Sequence, residues 1–226
     1  MFYLIGLGLD LKSISLEAFE VLRKCKKIYL ESYTVSFPYS VEELEKVIGK
    51  KITKLARGEV EDGKFVEDAG NEDVALLVYG SPLVATTHTS LILKCKKEEI
   101  NLKVFNNASI FDAVAETGLH VYKFGKTASI PVHKADSFLD LIKENKKIKA
   151  HTLVLVDIGM KCGEALDRLK VKEKIVLCSR LGTDEQKIYY GKTEDLKGKK
   201  IEEPFCFIIS AELHFSEQEF LDSLLQ

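Results

Sequence analysis

Val74-Ala-Leu-Leu-Val-Tyr-Gly-Ser-Pro-Leu-Val-Ala-Thr-Thr-His88 decides the reading of this chain. The uninterrupted apolar run Val74 to Tyr79 has the length and character of a strand covered on both faces. Gly80 lets the backbone turn close to another molecule, while Pro82 fixes its own φ and pushes Ser81 toward an extended conformation. A helical pattern begins at Thr89. This is the layout of a ligand loop at the carboxyl end of a buried strand, where open α/β sheets bind small molecules.

The same alternation extends in both directions. Phe2 to Gly8 reads as a first strand, followed by a helix capped by Ser13 or Ser15 with Leu16, Phe19, Leu22 and Cys25 on one stripe. Ile28 to Leu30 is a second strand, Val41 to Ile48 a helix and Ile52 to Leu55 a third strand. Residues 57–71 read as surface helix or loop. After the loop come a helix over Thr89 to Lys97, a strand over Leu102 to Phe105, and a helix from Ser109 through Glu116 that Gly118 can terminate. The βαβαβ rhythm implies a mostly parallel sheet.

Between Tyr122 and Val132 the glycine and proline content interrupts any helix, which suggests two lobes, residues 1–118 and 119–226. In the second, Ser137 to Lys146 and Glu164 to Leu169 are expected as helices, and His151 to Ile158, Ile175 to Ser179 and Phe205 to Ser210 as strands. Lys187 to Gly191 suggests an antiparallel strand, and Ser216 with Glu219 a capping box for the terminal helix.

The 226 residues carry 33 basic and 35 acidic side chains, a formal net charge of −2, so there is no electrostatic case for nucleic acid or an anionic membrane surface. The five cysteines are scattered singly without zinc-site spacing, as expected of reduced thiols in a cytosolic protein. The apolar start Met1-Phe2-Tyr3-Leu4-Ile5 lacks a basic lead, and no apolar run approaches about 18 residues, so a soluble, cytoplasmic protein is expected.

Gly6-Leu7-Gly8 resembles the opening of a dinucleotide fingerprint, but Leu11 stands where a third glycine belongs; the glycines can equally serve only to turn the chain. None of His88, His120, His133, His151 and His214 sits at metal-ligand spacing with another ligand on a helix, and no metal site is expected. His88 can organise the motif loop and His120 can position the neighbouring strand. Thr86 and Thr87 can cap the following helix or contact an acceptor. Tyr122-Lys123-Phe124-Gly125-Lys126 reads as a strand crossing between lobes with core aromatics, or as a surface for a protein substrate.

Four segments occur in order: Tyr3-Leu-Ile-Gly-Leu-Gly-Leu9; Gly80-Ser-Pro-Leu-Val-Ala-Thr-Thr-His88; Asn107-Ala-Ser-Ile110 followed by Gly118-Leu-His-Val-Tyr-Lys-Phe-Gly-Lys126; and His151-Thr-Leu-Val-Leu-Val-Asp-Ile158. Together they resemble the diphthine synthase family over almost the whole chain. The resemblance implies the tetrapyrrole methylase-like (class III) methyltransferase fold, with two α/β lobes and S-adenosylmethionine in the cleft between them, in a homodimer. It implies transfer of methyl groups to a modified histidine of translation elongation factor 2, with an ester added in the eukaryotic form.

Carried over by position, the family's donor contacts fall on Leu9, Ser81, Val84, Ser109 and Ile110, and in the second lobe on Val156, Leu181 and Phe205 or its neighbour Cys206. No catalytic acid or base is implied. Where the family has Gly-Asp-Pro, this chain has Gly80-Ser81-Pro82, so a carboxylate is missing from the loop. If that contact is made by the backbone, little is lost; if the charge favours the sulfonium, donor affinity falls. The alternatives are a porphyrin- or corrin-precursor methyltransferase of the same fold, whose Gly-Pro-Gly is absent after Leu7, and a degenerate relative that binds donor or elongation factor without turnover.

Overall fold

A computed structural model describes residues 1–225. The chain divides into two compact units, Met1–Ile110 and Phe111–Gln226.

The first unit runs β1 (Phe2–Gly6), α1 (Leu16–Leu22), β2 (Lys27–Glu31), α2 (Val41–Ile48), β3 (Thr53–Leu55), α3 (Arg57–Asp62), a 3₁₀ segment (Lys64–Gly70), β4 (Val74–Val78), α4 (Thr89–Lys97) and β5 (Leu102–Phe105). Its five strands are all parallel, in the order β3-β2-β4-β1-β5. Strand alternation sends Phe2, Leu4, Leu76 and Val78 to one face, against Val60, Val66, Leu91 and Cys95. Ile5, Ala75 and Leu77 go to the other, against Ala18, Leu22, Leu44 and Ile48. Covered on both sides, β4 buries every residue, which is why it reads as a continuous apolar run.

Local chemistry sets the helix ends. The Ser15 hydroxyl accepts from the Ala18 amide, and Ser40 and Glu43 form a reciprocal capping box on α2. The expected α1 stripe is corrected at Leu16, which is 75% exposed, because the buried face runs through Ala18 and Leu22 instead. The helix opened near Ser109 is α5 (Ile110–Ala113), which tightens to a 3₁₀ turn over Val114–Thr117 and stops at Gly118.

The second unit contains β6 (Ala128–Ile130), α6 (Ser137–Lys147), β7 (Thr152–Val156), α7 (Cys162–Leu169), β8 (Ile175–Ser179), β9 (Lys187–Gly191), α8 (Thr193–Leu196), β10 (Phe205–Ile209) and α9 (Phe215–Ser223). Its sheet is mixed, in the order β6-β7-β10-β8-β9, with only β6 and β7 parallel. Phe207, Leu177 and Val154 form its core with Phe138, Ile142, Leu166 and Leu169 from α6 and α7.

Two expectations for this unit are corrected. The segment around Tyr122 is not a strand: Val121–Lys123 is a 3₁₀ turn and Tyr122 is 83% exposed. The box on α9 is formed by His214 and Glu217 rather than Ser216 and Glu219, because Lys123 and His151 draw the Glu217 carboxylate inward.

Candidate functional site

Within the first unit, β1 lies between β4 and β5. The chain leaves β1 for α1 on one face of the sheet and leaves β4 for α4 on the other. The carboxyl ends of β1 and β4 therefore form a topological switch point, the place where an open α/β sheet leaves a crevice.

The two loops there are tied by their backbones. Gly8 N–H donates to the Gly80 carbonyl at 3.1 Å, and Gly80 N–H donates to the Gly8 carbonyl at 2.9 Å. The approach depends on glycine at position 6, where an added Cβ would lie 2.6 Å from the Gly80 oxygen. Asn107, following β5, joins a third loop: its amide donates to the Gly6 and Ser13 carbonyls at 3.1 and 2.9 Å, and its oxygen accepts from Ala108 N–H.

These ties bring the first unit's candidate residues together. At Gly80, with φ 71°, an added Cβ would meet nothing closer than the Ala108 oxygen and Ser109 Cα at 3.7 Å and Leu9 Cδ2 at 3.9 Å. The space a side chain would fill is thus bordered by all three loops. Leu9, Ser81 and Ser109 are buried beside it, while Val84 and Ile110 are half-buried. The borders are apolar and small hydroxyl side chains with main-chain groups, which suits a nucleoside and an aliphatic chain.

The motif loop is stapled internally. The Pro82 carbonyl accepts from the Thr86 hydroxyl at 2.8 Å and lies 2.9 Å from His88 Nδ1, and Val84 N–H donates to the Ser81 carbonyl. Thr86 and Thr87 are therefore not the helix cap: α4 begins after His88, and no side-chain oxygen caps it. Tyr79 donates its hydroxyl to the Leu9 carbonyl at 2.8 Å, and Phe37 packs edge-on against Tyr79 and Tyr39. Burial pushes the Tyr39 hydroxyl above the usual phenol range. Sequence reasoning missed Glu31, Phe37, Tyr39 and Tyr79. A carboxylate closing an apolar strand, Ile28-Tyr-Leu-Glu31, was the available signal for the first.

In the second unit, Val156 ends β7, Leu181 follows β8 and Phe205 opens β10 antiparallel to both, so the three stand at one end of that sheet. Val156 and Phe205 are half-buried and pack on the unit's core. Cys206 faces the opposite side, paired across the strands with Cys178. The hydrogen bond to Cys206, together with burial, holds the Cys178 thiol well above its ordinary range. All five cysteines are free.

His120, His151 and His214 gather around Glu217 in this unit. His151 Nδ1 accepts from Ala211 N–H at 3.0 Å, so its hydrogen sits on Nε2, 3.1 Å from Glu217. Burial pushes the His151 pKa down. Burial raises the Glu217 carboxyl, but Lys123, the His120 and His214 amides and His151 outweigh it and hold its pKa at about 2. Among the described residues, no group of three or more His, Cys, Asp or Glu side chains is placed to hold a metal ion, and no helix is long and apolar enough to cross a membrane.

Comparison with known proteins agrees with the fold. Residues 1–197 match the Tetrapyrrole (Corrin/Porphyrin) Methylases. The diphthine synthase of Methanocaldococcus jannaschii is 38% identical, with 100% of this chain and 99% of the relative covered. The diphthine methyl ester synthase of Schizosaccharomyces pombe is 36% identical over 98% of this chain and 93% of the relative. A crystal structure of diphthine synthase superposes with a TM-score of 0.93 at 34% identity, covering 99% of this chain and 95% of that one. With its α/β architecture and full-length similarity, the chain belongs to the diphthine synthase family of methyltransferases, within the tetrapyrrole methylases.

Proposed function

We propose that the chain transfers methyl groups from S-adenosylmethionine to the modified histidine of translation elongation factor 2. The observation that carries this reading is the convergence of Leu9, Gly80-Ser81 and Ser109 at the β1/β4 switch point, where the reciprocal Gly8 and Gly80 bonds hold two loops around one space. The donor supplies an electrophilic methyl on a sulfonium sulfur. The protein's task is to hold the attacking amine in line with that carbon and to keep water out.

Each group in the first unit has a part in that task. Leu9, Val84 and Ile110 offer apolar walls, Ser81 and Ser109 small hydroxyls, and the glycine backbones a close approach. In the second unit, Val156, Leu181 and the main chain at Phe205 and Cys206 are the proposed donor contacts. The amine must be neutral when it attacks. The active form is proposed to be a cytoplasmic homodimer.

The test is incubation with S-adenosylmethionine and elongation factor 2 bearing the unmethylated precursor side chain, read by mass spectrometry of the modified histidine. Methyl incorporation is expected there and nowhere else on the factor. Donor binding without any transfer would replace this reading with that of a binding relative, which the serine at position 81 favours.

A further inference from the structure

Strand β2 ends on a carboxylate, Glu31, that is 1% exposed. The chain turns around it: Oε1 accepts from the Tyr33 and Thr34 amides at 2.9 Å, and Oε2 from the Thr34 hydroxyl at 2.7 Å. Oε2 also faces His88 Nε2 at 4.0 Å. His88 is 1% exposed as well, and its Nε2 has no hydrogen-bond partner. Its other nitrogen lies 2.9 Å from the Pro82 carbonyl, which can only accept, so Nδ1 carries a hydrogen.

Burying a carboxylate and an imidazole edge in the interior is costly, and apolar side chains would pack there without that cost. Together the two groups connect the turn after β2 to the loop after β4. Both ring nitrogens face acceptors, Nδ1 the Pro82 carbonyl at 2.9 Å and Nε2 the Glu31 carboxylate at 4.0 Å. Pro82 directly follows Ser81, and its carbonyl is also the acceptor of the Thr86 hydroxyl. Whatever fixes that carbonyl fixes the path of residues 81–84.

We propose that Glu31 and His88 are a positioning pair for the motif loop. Glu31, anchored by its own turn, orients the imidazole, and His88 Nδ1–H holds the Pro82 carbonyl so that Ser81 and Val84 keep their places. Neither side chain is assigned a contact with the donor. The inference rests on the proposed donor site.

The test uses the full chain, with calorimetric titration of S-adenosylhomocysteine and, without ligand, hydrogen exchange at the amides of residues 81–88. His88→Ala and Glu31→Gln should each weaken binding by about tenfold or more and speed exchange in the loop. His88→Asn, which keeps a donor at the Nδ1 position but presents nothing to Glu31, should recover binding and slow exchange in part, to a level between His88→Ala and the starting chain, and full recovery would remove Glu31 from the pair. Unchanged exchange and affinity in His88→Ala would overturn the pair, as would failure of His88→Asn to recover either. If His88→Ala does not fold, Glu31→Gln and His88→Asn decide by the same readouts. If the unsubstituted chain binds no S-adenosylhomocysteine, the donor site itself is wrong, and the exchange rates alone then decide whether the pair holds the loop.

Discussion

Ala85 holds a left-handed backbone, φ 54°, inside the motif loop, a conformation that costs an L-residue about 1–2 kcal/mol. Ala85→Gly should therefore stabilise the chain by up to about 1 kcal/mol in chemical denaturation. Gly80→Ala should do the reverse, losing about 1–2 kcal/mol to the same strain, and its new methyl should also weaken S-adenosylhomocysteine binding in calorimetry, since the Cβ enters the space between the loops. Ser81→Asp should change donor affinity by less than about tenfold in the same titration if the contact is made by main chain. At this scale the glycines and Pro82 were legible because their roles are local. The partners of Thr86 and His88 were not, because a shared acceptor at Pro82 and a carboxylate at the end of another strand leave no trace in spacing.

The terminal element α9 depends on one charge. Glu217 is fully buried and receives Lys123 Nζ, His151 Nε2 and the amides of His120 and His214. Glu217→Gln leaves a lysine without its counter-charge and should cost about 3 kcal/mol, measured by urea unfolding at pH 7. Because the Glu217 pKa in the fold is about 2, below its ordinary 4.5, its contribution is complete above 4.5 and drains away as pH falls toward 2. The lowered His151 pKa acts with the same sign from pH 6.5 downward, since the unfolded chain then takes up the proton first. Thermal scans should show the midpoint falling with acid, more gently in Glu217→Gln. Strands covered on both faces, such as β4, announced themselves through composition. The three-residue β6 and the single turn of α8 are too short to carry a period, and the cap of α9 was misplaced because the choice between Glu217 and Glu219 is made by residues on other elements.

Each of the two units builds a core from its own strands and helices. The proposed homodimer predicts a mass of two chains by light scattering at micromolar concentration, and a single-chain mass would count against it. The α/β alternation of the first unit was readable except over residues 57–71, expected as surface helix or loop, where glycines and charges hid the buried Val60, Phe65, Val66 and Ala69; five of the proposed donor positions fall on its three converging loops, and the mixed order of the second sheet was not readable, because strand order is set by tertiary pairing rather than by pattern. The reciprocal bonds between Gly8 and Gly80 have a consequence in time. They join positions far apart in sequence and can close only once β4 has docked on β1, so the site should form late on the folding path. A ligand held by these loops should then leave the refolding rate unchanged and slow unfolding, as stopped-flow denaturation with and without S-adenosylhomocysteine can measure.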